Sequence, residues 1–222
     1  MDTKYLKLAR QAREENNTED AKKFYDMART EDPENVEAKF FYAYYNLADA
    51  IVRDVPNKYV DYTKVAVSSV KRLKESTLSD KEKLDLLEDI ANTHAKEVVR
   101  VYHYVASHRD RSTSDHVDTN GYYDTFQVAS VQSASIHSLE DMGNNVANLF
   151  GSEPKAMELA ANLWKGIFSD KRFSREYFFQ SGTTKEESAK KWHELVEKIQ
   201  KTDSSFPTPE EPKAIGIQCG SK

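Results

Sequence analysis

The chain has 222 residues, 37 of them acidic and 32 basic, for a formal net charge of −5, and only 7 Gly and 6 Pro. All the glycines lie at Gly121 or later, so a first half built of many short strands, which needs turn residues often, is excluded and helices are expected. The acidic balance without a basic stripe argues against nucleic acid as a partner, and no apolar run approaches the roughly 20 residues of a membrane-spanning helix.

The first predicted helix runs from Thr3 to Glu15, with Leu6, Leu8, Ala9 and Ala12 at helical spacing. Asn16-Asn17-Thr18 breaks it, and Asn17 or Thr18 can cap the next helix, with Glu19 and Asp20 in its first turn. That helix carries Ala21, Phe24, Tyr25 and Ala28 and ends before Pro33. A third helix is expected over 34–53. It has two apolar stripes, Ala38-Phe41-Tyr42-Tyr45 and Phe40-Tyr44-Leu47-Ile51, so it is packed on both sides or offers one side to a partner. Pro56 marks the next break, and a fourth helix over 57–75 carries Tyr59, Tyr62, Ala66, Val70 and Leu73.

Ser79 and Glu82 form a capping box that opens a long fifth helix. His94 lies on its apolar stripe and reads as a core or interface histidine. Residues 107–121 are polar and read as a loop. A sixth helix over 122–149 contains Gly143, expected to loosen it. Ser152 and Pro154 open a seventh, and Thr184 with Glu187 caps an eighth that carries Trp192, Leu195, Val196 and Ile199. The aromatic clusters Tyr122-Tyr123-Phe126 and Tyr177-Phe178-Phe179 read as core. From Thr202 the composition turns acidic and proline-rich. The expectation is an all-α fold of seven or eight helices in antiparallel pairs. It forms one domain over 1–201, with repeat-like helices over 1–76 and divergent ones over 79–201, followed by an extended tail over 202–222.

Candidate chemistry is sparse. His103, His108, Asp110, Asp115, His116 and Asp118 are donor types that hold divalent metals, but no H-E-x-x-H or Glu-x-x-His pattern orders them. A metal-dependent hydrolase using 103–118 is the enzymatic alternative; no metal or other cofactor is expected. There is no Gly-rich phosphate loop and no Gly-x-Ser-x-Gly elbow. The single cysteine, Cys219, has no partner for a disulfide, and no apolar leader follows Met1, so a cytoplasmic protein is expected.

One spacing is specific. Tyr5, Leu8, Ala9 and Ala12, followed by Ala21, Tyr25, Ala28 and Pro33, occupy the signature positions of one helix–turn–helix unit. The segment resembles a tetratricopeptide repeat, with Ala9 in place of the usual Gly and Ala12 in place of the usual Tyr. A second unit starting near Val36 keeps Ala43 at the small position but puts Lys39 and Asn46 at the aromatic ones. The resemblance implies stacked helix pairs whose first helices line a groove for a peptide or partner protein. Groove-facing positions would be Leu6, Arg10 and Arg13 in the first unit and Phe40, Tyr44 and Leu47 in the second. Arginines beside an aromatic shelf would suit an acidic segment or a C-terminal carboxylate. The functional expectation is therefore a non-enzymatic interaction module. A homo-oligomer packed through the third helix is the structural alternative.

Overall fold

The computed structural model describes residues 3–108, 123, 125–169 and 185–206. Among these lie eight α-helices and no extended sheet: α1 Lys4–Glu14, α2 Thr18–Glu31, α3 Val36–Ala48, α4 Val55–Glu75, α5 Asp80–Ser107, α6 Thr125–Phe150, α7 Pro154–Ser169 and α8 Lys185–Thr202. The fold is all-α, built of packed helix pairs, and the first four helices each pack on the next.

Local chemistry sets the boundaries. Thr3, Asn17 and Asn35 each accept a hydrogen bond from a free amide of the first turn, capping α1, α2 and α3. The Ser79–Glu82 capping box opens α5. The turn between α1 and α2 needs a left-handed residue, and Asn16 supplies it at φ 56°. Asparagine tolerates that region because its short polar side chain can bond locally, so this tight turn is made without glycine. Pro56 does not precede α4; it sits in the first turn of that helix, where its missing N–H costs nothing.

The third helix departs from its expected 34–53. It stops at Ala48, and a 3-10 turn over Val52–Asp54 leads into α4. Most of both apolar stripes is covered within the chain, although Ile51 is exposed and Tyr42 and Tyr44 are half-buried. Tyr25 of α2 stacks on Phe41 and Tyr45 at centroid distances of 5.2 and 6.0 Å. Phe40 meets Tyr62 of α4 at 5.9 Å. Much of the surface on which the homo-oligomer alternative would pack a second copy is covered by α2 and α4.

The second half is arranged differently. α4 packs most closely on α6, α6 on α7 and α7 on α8, while α5 lies against α4, α6 and α7. Gly143 does not loosen α6. A Cβ there would sit 2.7 Å from Trp164 Cδ1, so the glycine lets α7 come close. A buried polar seam joins α4, α5 and α6. Tyr59 Oη and Ser135 Oγ are 2.8 Å apart, and His94 Nε2 and Ser138 Oγ 3.0 Å apart. His94 is fully buried, as expected of a core histidine.

Of the first aromatic cluster, Tyr123 is core and donates to the Val52 carbonyl at 2.6 Å, but Phe126 is 81% exposed. It is the second residue of α6. Tyr122, the 177–179 cluster and the Thr184 cap lie outside the described residues. Part of the expected tail is folded: Thr202 ends α8, Gln200 Nε2 donates to the Phe206 carbonyl, and Phe206 packs on the core. Residues 207–222 lie outside the described residues. Among the described residues no helix is long and apolar enough to cross a membrane.

Candidate functional site

A cleft of about 960 Å³ opens between α1 and α5, at the upper end of the roughly 300–1,000 Å³ usual for ligand pockets. Each wall is one helical stripe. Leu6, Arg10, Arg13 and Glu14 project from α1, and Glu82, Asp85, Leu86 and Asp89 from α5. These spacings of three, four and seven place side chains on a common face. The floor is the start of α3, with Val36 and Glu37, and the segment leaving α4, with Glu75, Thr77 and Leu78.

The two arginines expected in a groove do line this cleft, but their charges are committed. Arg10 grips Glu37 with two nitrogens: Nε lies 2.9 Å from Oε1 and Nη2 2.6 Å from Oε2. The Glu37 side chain is only 8% exposed. Such a buried carboxylate requires a paired, hydrogen-bonded cation. Tyr25 Oη approaches the same carboxylate at 3.4 Å. Burial raises the Tyr25 pKa, with the Glu37 charge adding to it, so the phenol stays protonated as a donor.

Arg13 bridges the two walls. Its Nη1 and Nη2 each lie 2.6 Å from an oxygen of Asp89 on α5. The guanidinium also stacks 3.8 Å above the Phe41 ring, a favourable cation–π placement. Burial works against the Arg13 charge, but the hydrogen bonds and attraction of Asp89 outweigh it and hold the pKa above its ordinary value. The bidentate geometry gives direction as well as energy. Thr93 Oγ1 reaches the same carboxylate at 3.5 Å.

The other expected site residues do not join them. Phe40 and Leu47 are 0% and 2% exposed, inside the core. Tyr44 is half-buried, set edge-on against Tyr45 and Phe41, and does not line the cleft. Burial raises its pKa, with the nearby Glu97 carboxylate contributing. The aromatic shelf of the second unit is therefore not a groove surface. The reason is local: α4 comes back over α3 and covers Phe40.

The carboxylates are what the sequence reading passed over. The cleft is lined by eight carboxylates and three arginines. The third, Arg72, pairs with Glu34 at 3.4 Å. A signal was present, since Glu82, Asp85 and Asp89 repeat at helical spacing on α5. What α5 would face could not be read from that stripe.

The histidine–aspartate segment adds no site among the described residues. His108 Nδ1 lies 2.7 Å from the Tyr104 carbonyl, closing the end of α5. Asp110, Asp115, His116 and Asp118 lie outside the described residues. No three His, Cys, Asp or Glu side chains converge on a metal position among the described residues. The chain matches no protein-family model, no curated protein and no solved structure. The functional reading therefore rests on the cleft.

Proposed function

We propose that the chain is a non-enzymatic interaction module that holds a segment of a partner protein in the α1–α5 cleft, as its resemblance to tetratricopeptide repeats implies. The observation that supports this is the wall of the cleft. Leu6, Arg10 and Arg13, the groove-facing positions of the first repeat-like unit, are three of the four residues α1 contributes, with Glu14 the fourth. Helix pairs of this kind are held by their own small and aromatic residues, here Ala9, Ala21, Tyr25 and Ala28, all buried. On the cleft-facing flank of α1, Leu6 is buried while Arg10 and Arg13 stay partly exposed beside Glu14.

The test must block the cleft without breaking the ion pairs that fold it. Thr77 is exposed on the segment between α4 and α5 and lines the cleft. A Thr77→Trp chain would fill the space from a position that constrains no helix. Affinity capture from native lysate, read by mass spectrometry, should show partners held by the wild-type chain and lost by Thr77→Trp, with circular dichroism unchanged. Retention of every partner by a folded Thr77→Trp chain would remove the cleft from consideration.

A further inference from the structure

We infer that the segment this cleft takes is basic, a lysine- or arginine-rich stretch with interleaved apolar residues; this rests on the cleft being the docking site. The first observation is that neither Arg10 nor Arg13 is available to a ligand without loss; only Arg72, whose 3.4 Å contact is to an exposed Glu34 that also pairs with Lys39, could turn to a ligand cheaply. Taking a ligand carboxylate with Arg10 means releasing Glu37, which is buried and has that guanidinium as its cation. Using Arg13 means opening the bridge to Asp89 that joins the two walls. An acidic segment therefore replaces good bidentate pairs with equivalent ones and leaves carboxylates stranded.

The second observation is on the opposite side of the balance. Glu14, Glu75 and Asp85 line the cleft and have no ion-pair partner among the described residues. Lys155 influences Asp85 from a distance but makes its ion pair with Glu88. Glu82 joins them as a charge, because hydrogen bonds from Ser79 hold its pKa below the ordinary carboxylate value. Like charges gathered on a concave surface focus a negative potential that draws in cations. The third observation is the apolar part of the lining. Leu78 on the floor and Leu86 on the α5 wall are half-buried, and Val36 on the floor is buried. Carboxylates interleaved with these leucines complement a segment in which lysines or arginines alternate with apolar residues.

The experiment uses two short fluorescent peptides of equal length, one alternating lysine and leucine, the other glutamate and leucine. Anisotropy titrations are run against the full chain, a Glu14→Gln/Glu75→Gln/Asp85→Asn chain, and Thr77→Trp. The lysine peptide should bind the wild type, more weakly as salt rises. If each exposed carboxylate contributes roughly two- to threefold, the triple variant should bind it about tenfold more weakly. Thr77→Trp should abolish binding. Equal binding to wild type and triple variant would overturn the inference, as would no binding of the lysine peptide. Tighter binding of the glutamate peptide, lost in Thr77→Trp, would overturn the basic preference while leaving the cleft as the docking site. Lysine-peptide binding that survives Thr77→Trp would place the contact elsewhere and defeat both readings.

Discussion

Acid should unfold this protein partly through one histidine. His94 sits in the seam between α4, α5 and α6, with Ser138 Oγ 3.0 Å from its Nε2 and the Tyr62 ring 5.6 Å away. Glu97, one turn along α5, is already paired with Arg100. Among the described residues no charged group pairs with His94, and burial lowers its pKa from 6.5 to about 3. The sign follows. Above pH 6.5 the imidazole is neutral in both states and contributes no pH dependence. Below it the unfolded chain takes up a proton that the folded chain refuses, so stability falls with pH until the folded pKa is reached. The loss is about 2 kcal/mol at pH 5 and about 5 kcal/mol in the limit below pH 3. That is a large part of the ~5–15 kcal/mol of a typical domain. Urea denaturation at pH 7.5 and pH 5 should be compared for wild type and His94→Gln, which keeps a donor for Ser138. Carboxylates titrate alike in both chains, so their contribution cancels. The variant should start less stable at pH 7.5 yet lose about 2 kcal/mol less on acidification. Equal losses in the two chains would refute the reasoning.

Two further substitutions test the packing and the cleft. Gly143→Ala should lower stability even though alanine is the better helix former by about 1 kcal/mol. The new methyl would lie 2.7 Å from Trp164 Cδ1 and 2.9 Å from Nε1, and overpacking of this kind costs about 1–3 kcal/mol. A Tm lower by a few degrees in calorimetry is expected, and an unchanged or higher Tm would show that α6 and α7 are not in close contact there. Arg10→Met should cost about 3 kcal/mol, because it leaves the buried Glu37 carboxylate without its cation. The double variant Arg10→Met/Glu37→Met should recover most of that loss in denaturant titration, and a double variant as unstable as the single would contradict the pairing.

The helices were legible because they are local. Asn17 and Ser79 announce helix starts by satisfying free amides, and apolar residues at three- and four-residue spacing announce the buried faces. Errors fell where local signals compete. The stripe through Ile51 suggested a longer α3, but Ile51 is 59% exposed and outside the helix. Phe126 has the chemistry of a core residue and is 81% exposed among the described residues. The candidate site was half legible. Arg10 and Arg13 line the cleft, but their partners Glu37 and Asp89 are 27 and 76 residues away in sequence.

What the amino-acid order determined by itself is therefore the helical content, most of the helix boundaries and a face of α1 turned away from its own hairpin. Scarce glycine and proline, polar caps and short-range periodicity act within a turn or two of chain, so they can be read without neighbours. What only the tertiary structure decided is the character of the cleft. Whether an arginine is a free cation or half of a closed ion pair depends on which helix is brought opposite it. The chain brings α5 there, and its carboxylates turn a wall that looked basic into one side of an acidic groove.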